Sequence, residues 1–232
     1  MKIGILPNYN NNKRPFLNTL NFINNYPYRI LKNGAIPFGV LFPNGIFNEN
    51  LLKQYQGFLI PGGNNIYLYH ILTIHYAIKN NKPLLGICLG MQAIGLYNYI
   101  THHLKKRNLS INYLSISQTF EKIKEIQYLI QIKNHNKENP FYLENLKNSS
   151  HKIYPLSKTF KTIYKTTFIA PSLHNYALKR VYDDFIISAI SPDGIIEAIE
   201  YVKKPLIIGV QFHPELENKN DKLIKYFINA CK

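Results

Sequence analysis

The chain has 232 residues, 46% of them apolar and with 18 Tyr and 13 Phe, which is enough to bury a full-sized core and excludes a disordered chain. The net charge of +15 raises the question of nucleic acid, but only four of the 28 basic residues are arginine (Arg14, Arg29, Arg107, Arg180) and the lysines are scattered rather than striped, so no nucleic-acid partner is expected. No run approaches the roughly 20 apolar residues that cross a bilayer, and Ile3–Leu6 is too short for a secretory signal; a soluble chain without a membrane partner is expected. The two cysteines, Cys88 and Cys231, form no metal-binding spacing, and Cys231 lies where chain ends fray. No disulfide, no metal and a reducing, cytoplasmic location are expected.

In chain order, Lys2–Leu6 reads as a first parallel strand, closed by Pro7, and the polar run Asn8–Arg14 as a loop beyond its C-terminal end. Helical signal from Phe16 to Lys32 is interrupted by Pro27, so the helix is placed from Pro27 to Gly34. Ala35–Leu41 follows as a strand, Asn48–Gln54 as a short helix and Gly57–Ile60 as a third strand. That strand runs into Pro61-Gly62-Gly63-Asn64-Asn65, which is either an ordinary strand-to-helix turn or a turn that aims backbone N–H groups at an anion. A helix is predicted from Ile66 to Lys79, with His70 and His75 as surface or packing residues, then a buried strand from Pro83 to Ile87 and a helix from Met91 to Leu104.

Beyond Lys105 the pattern weakens. Ile126–Lys133 and His151–Leu156 read as strands and Asn134–Ser150 as polar loop. Asp184–Ser191 and Ile195–Glu200 make a hairpin across Pro192-Asp193-Gly194, Leu206–Phe212 a last buried strand, and Asp221–Cys231 a terminal helix capped by Asn220 or Asp221. The expected architecture is α/β: an open, mostly parallel central sheet with helices on both faces and a smaller antiparallel strand set, in a single domain over residues 1–232.

Two stretches carry chemistry. Gly86-Ile-Cys-Leu-Gly90 places a cysteine between glycines where a buried strand meets a helix, the thiol form of a nucleophile elbow. Orphan N–H groups at the helix start favour a thiolate there; the bland reading is a small buried core residue. The last buried strand ends in His213-Pro214-Glu215, and two-residue spacing along an extended segment turns His213 and Glu215 to one side. A carboxylate on one imidazole nitrogen leaves the other to act on a thiol; alone, the segment reads more readily as a surface turn with an ion pair. Their joint occurrence at the ends of parallel strands favours a site.

These residues resemble a known family. Gly86-Ile-Cys-Leu-Gly-Met-Gln92 with Gly209-Val-Gln-Phe-His-Pro-Glu215 is similar to the class I glutamine amidotransferases, with a flavodoxin-like sheet. Ile60-Pro-Gly-Gly63, Pro171-Ser-Leu-His-Asn175 and Ser191–Glu200 resemble its γ-glutamyl hydrolase branch, the peptidase family that includes γ-glutamyl-γ-aminobutyrate hydrolase. The resemblance implies Cys88 as nucleophile, His213 as base and then acid, and Glu215 as its orienting carboxylate. It also implies oxyanion donors at the N–H groups of Leu89 and of Gly62 or Gly63, and substrate contacts from Gln92 and His174. The implied substrate is a small γ-glutamyl amide, with no cofactor; a homo-oligomer is compatible with this. The sequence departs from the branch at Leu89, where arginine is usual, at Gly95–Ile100, over Lys105–Glu125 and at Asn175-Tyr176. Two other readings keep the scaffold: a glutaminase subunit that passes ammonia to a separate synthetase, and a binding protein without catalysis.

Overall fold

The computed structural model describes residues 1–10, 18–133, 135, 149–217 and 221–232. Its elements in order are β1 (Lys2–Ile5), β2 (Asn8–Asn10), β3 (Thr19–Asn21), α1 (Asn25–Lys32), β4 (Ile36–Gly39), β5 (Gly57–Ile60), α2 (Leu68–Lys79), β6 (Leu84–Ile87), α3 (Leu89–Lys106) and α4 (Tyr113–Phe120). There follow β7 (Leu129–Gln131), β8 (Ser150–Pro155), α5 (Lys158–Tyr164), β9 (Phe168–Pro171), β10 (Tyr176–Leu178), β11 (Phe185–Ile190), β12 (Ile196–Tyr201), β13 (Ile207–Val210) and α6 (Lys222–Ala230).

Nine strands form one sheet in the order β4-β1-β5-β6-β13-β12-β11-β8-β9. The first five are mutually parallel. The last four alternate in direction. The α/β expectation therefore holds. The antiparallel strands continue the far side of the main sheet, and two small antiparallel ribbons, β10–β7 and β2–β3, lie outside it.

Successive strand residues face opposite sides, so Phe58, Ile60, Leu84 and Ile207 pack on one face with Ile71, Ile74, Met91 and Ile94 of α2 and α3. On the other face, Leu59, Leu85 and Ile208 pack with Tyr26 and Ile30 of α1, Phe160 of α5 and Leu223 and Phe227 of α6. The buried strands β5, β6 and β13 are apolar throughout because both faces are covered. Among the described residues no helix is long and apolar enough to cross a membrane.

Several expectations are corrected. Asn8–Asn10 is a strand paired with Thr19–Asn21, not a loop; the remainder of the predicted loop, Asn11–Arg14, and the start of the helical signal at Phe16 lie outside the described residues. The Asn48–Gln54 helix is a single 3-10 turn, Glu49–Leu52. Helix α3 begins at Leu89, two residues earlier than the pattern placed it. Asp221 precedes α6 without a side-chain cap, because its carboxylate is engaged by Arg29 at 3.1 Å and Lys32 at 3.3 Å; Asn220 and most of the Asn134–Ser150 loop lie outside the described residues.

The topology fixes where a site can form. β5, β6 and β13 are adjacent and parallel, so the Gly62-Gly63 turn, Cys88 and the His213 segment emerge side by side at one sheet edge. The elbow there depends on close backbone approach. A β-carbon at Gly90 would lie 2.2 Å from the Ile60 carbonyl oxygen, and one at Gly86 would lie 2.5 Å from that of Gly90. Both contacts are to backbone and cannot relax by a rotamer change. Gly90→Ala is therefore expected to destabilise the chain by about 1–3 kcal/mol or more, read from the midpoint of denaturant unfolding.

Candidate active site

Cys88 sits at φ 53°, ψ −105°, a left-handed conformation that L-residues adopt at a cost of about 1–3 kcal/mol and that tertiary structure must hold in place. Its N–H donates to the Val210 carbonyl at 2.7 Å, tying the elbow to β13, and its carbonyl accepts from Gln92 N–H at 3.1 Å as α3 begins. Cys88 is 8% exposed and opens on a cleft of ≈ 750 Å³ that is also lined by Gly62, Gly63, Tyr26, His213 and Glu215. That volume suits a small-molecule substrate.

Val210 and Phe212 pack into the core on one side of the extended chain leaving β13, and Gln211 and His213 turn to the other. Two-residue parity therefore holds up to His213. Pro214 breaks it, and a 3-10 turn over Pro214–Leu216, not extended backbone, folds Glu215 back onto His213. His213 Nδ1 lies 2.7 Å from Glu215 Oε1, while its Nε2 is buried without a hydrogen-bond partner. Burial alone would lower the pKa of His213. The Glu215 carboxylate and the Cys88 sulfur outweigh it and hold the imidazolium well above the usual histidine value. A β-carbon at Gly62 would lie 3.2 Å from His213 Cε1 and 3.5 Å from Cys88 Cβ, so glycine, imidazole and thiol meet at one point.

The Gly62-Gly63 turn is braced from both sides. Asn8 Nδ2 donates to the Gly62 carbonyl at 2.9 Å, and Gly62 N–H donates to the Tyr26 hydroxyl at 2.9 Å. Gly62 N–H is thus already engaged, while Leu89 N–H is the first of the orphan helix donors of α3. Burial, then the neighbouring Glu215 carboxylate, raise the Tyr26 phenol well above its usual value, so it stays protonated. One turn on, Arg29 Nε donates to the Glu215 carbonyl at 3.0 Å and its Nη2 to the Glu217 carbonyl, clamping the His213 segment.

The sequence-predicted residues divide in two. Cys88, Leu89, Gly62, Gly63, His213 and Glu215 come together at this edge. Gln92 is buried behind them, where its Nε2 lies 3.3 Å from both Gln211 Oε1 and the Tyr176 carbonyl. His174 lies in a separate buried group with His135, His151 and Glu197. Sequence reasoning missed Asn8, Tyr26, Arg29 and Gln211. Gln211 Nε2 donates to Cys88 Sγ at 3.6 Å, and extending the two-residue parity back from His213 would have found it. Tyr26 and Arg29, three apart on α1, share a helix face.

Fold and site together define an α/β protein with a cysteine on a strained elbow facing a histidine–carboxylate pair. The glutamine amidotransferase class-I family matches residues 29–230, and the chain belongs to it. It is 28% identical to a glutamine amidotransferase-like protein of Rickettsia prowazekii, over 90% of this chain and 88% of that one. It is 32% identical to the CTP synthase of Methanosphaera stadtmanae over 80% of this chain, and spans about a third of that enzyme, 36%. The glutaminase domain of Trypanosoma brucei CTPS with bound acivicin shares the fold at a TM-score of 0.66 and 16% identity, covering 99% of this chain and 93% of that one. A glutamine amidotransferase of Thermotoga maritima does so at a TM-score of 0.58 and 13% identity, covering 98% of this chain and 82% of that one.

The raised pKa of His213 has a consequence for stability. A histidine whose folded pKa exceeds the unfolded value of 6.5 adds stability that is fully present below that value and is lost as pH rises through the folded pKa. Glu215→Gln removes one cause of the shift. The loss in Tm from Glu215→Gln is therefore expected to be largest between about pH 5 and 6.5 and to shrink at alkaline pH, as read by thermal melts of both proteins across pH.

Proposed function

We propose that this chain hydrolyses a γ-glutamyl amide through a thioester on Cys88. The single observation that carries the reading is the convergence of Cys88, at positive φ on its elbow, with the His213–Glu215 pair on one cleft. In this mechanism the Cys88 thiolate adds to the side-chain carbonyl of the substrate. The resulting oxyanion is met by Gly63 N–H and Leu89 N–H, each such donor contributing about 10²–10³ in rate. His213 Nε2 gives its proton to the departing amine as the C–N bond breaks, leaving a γ-glutamyl thioester. His213 then takes a proton from water, which attacks the thioester and releases glutamate and the thiol. Glu215 holds the imidazole and stabilises its charged form. Asn8, Asn25, Asn64 and Asn65 on the cleft wall offer amides that both donate and accept, suited to the amino and carboxylate groups of a glutamate moiety.

A second reading, in which the ammonia goes to a separate synthetase, is favoured by the similarity to part of CTP synthase and by Leu89 after the cysteine. One experiment addresses both: glutamine, γ-glutamyl amines and folate polyglutamates assayed for glutamate release with wild type and Cys88→Ala. Release by wild type alone, lost to background in Cys88→Ala, is expected. Turnover retained in Cys88→Ala, or a Cys88 inert to glutamine-like electrophiles, overturns the proposal. Glutamine turnover that appears only on adding a synthetase selects the second reading.

A further inference from the structure

The same sheet edge carries a second polar cluster that the hydrolytic reading does not use. Because the antiparallel strands alternate in direction, the start of β8, the end of β9 and the start of β12 all reach the edge where Cys88 emerges. They bring His151, His174 and Glu197 together, and His135 joins them from the chain beyond β7.

We propose that His135, His174 and Glu197, flanked by His151, form a binding site for a divalent transition metal of the zinc type. Three observations support it. His135 Nδ1 and His174 Nε2 are 3.3 Å apart, and they lie 3.3 and 3.5 Å from Glu197 Oε1. A tetrahedral zinc ion with arms of about 2.0–2.1 Å has ligand-to-ligand edges of roughly 3.3–3.4 Å. The three donors therefore already stand as one face of such a tetrahedron. His151 Nε2, 3.2 Å from the same oxygen, is the next donor at hand.

The far nitrogens of two rings fix which atoms bear lone pairs. His174 Nδ1 lies 3.0 Å from the Tyr176 carbonyl, an acceptor only, so it carries the hydrogen and Nε2 is bare. His135 Nε2 lies 2.9 Å from Asp193 Oδ2, which likewise requires N–H there, so that in the neutral ring Nδ1 bears the lone pair. Ser191 Oγ donates to Asp193 Oδ1 and steadies this carboxylate. Such outer carboxylate and carbonyl partners are what orient metal-bound histidines. Ser172 Oγ lies 3.4 Å from His135 Nδ1, but its shorter contact is to the His135 carbonyl at 2.9 Å.

Glu197 is the third observation. It is fully buried, and neither carboxylate oxygen has a hydrogen bond of acceptable geometry despite three imidazole nitrogens within 3.5 Å. With both rings neutral, two imidazole lone pairs and the carboxylate repel one another unless a cation lies among them. A proton bridges two of the three atoms; a metal ion satisfies all of them. Imidazole with one carboxylate and no thiolate selects zinc-like ions over magnesium or calcium, which prefer oxygen alone. The cluster is coupled to the cleft through backbone, since Gln211 N–H donates to the Glu197 carbonyl at 2.8 Å and Gln211 reaches the Cys88 sulfur.

The test uses the full chain, stripped with a chelator, titrated with Zn²⁺ and freed of excess by gel filtration. One retained Zn²⁺ per chain with a raised Tm is expected, together with a Co²⁺ form showing tetrahedral visible bands but no near-ultraviolet thiolate band. Cys88→Ala keeps the metal and His174→Ala loses it. Asp193→Asn, at a half-exposed outer position, weakens affinity about 10–100-fold. Substoichiometric Zn²⁺ in wild type overturns the proposal in favour of a cluster held by a proton alone; a thiolate–cobalt band or loss of metal in Cys88→Ala overturns it in favour of metal at the thiol, and unchanged affinity in Asp193→Asn overturns it in favour of a metal bound elsewhere. The wild-type titration and cobalt spectrum stand whatever a variant does to folding. Hydrolysis is not read, so this outcome is independent of the thioester mechanism.

Discussion

The site depends on one backbone constraint, the left-handed Cys88 residue between β6 and α3. A side chain held there cannot lie down in the sheet or in the helix, so it projects from the edge. Keeping it there requires β5, α3 and β13 to approach until backbone touches backbone, which is why Gly86 and Gly90 lack side chains and why Cys88 N–H reaches across to Val210. The strain at Cys88 is thus offset by the packing of the central sheet and not by anything in the cleft.

What could be read from the sequence follows from how each feature is encoded. The parallel strands were legible because burial on both faces leaves uninterrupted apolar runs such as Leu84–Ile87 and Ile207–Val210. Helices α4 and α5 were not, since eight and seven residues give too little periodicity, and only their caps, Asn112 accepting from Ser115 N–H and Ser157 accepting from Phe160 N–H, mark them. The β2–β3 ribbon is two three-residue strands in which Tyr9 faces Leu20 among polar neighbours, too short to show a period of two. In the site, the elbow and the His213–Glu215 pair are local in sequence and were found. Tyr26 and Asn8 act across 36 and 54 residues on the Gly62 turn, a relation that no short motif contains. Glu197 did give a signal, an acid in a buried pattern at the start of a strand with apolar neighbours on either side, but its histidine partners come from three other segments.

The sheet is therefore more than a scaffold with one active edge. Its parallel half delivers three loops to that edge because parallel strands all end there. Its antiparallel half delivers alternate ends, so starts and finishes of strands mingle and bring imidazoles from distant segments onto one carboxylate. Gln211 stands at the seam, with its backbone on β12 and its amide on the thiol.

Helix α1 spans both walls of the cleft. Tyr26 grips the glycine turn on one side and Arg29 grips the carbonyls around Glu215 on the other, from neighbouring turns of a single rigid rod. The spacing of the two walls is therefore set by one segment, so a change that displaces α1 disturbs the glycine turn and the imidazole together.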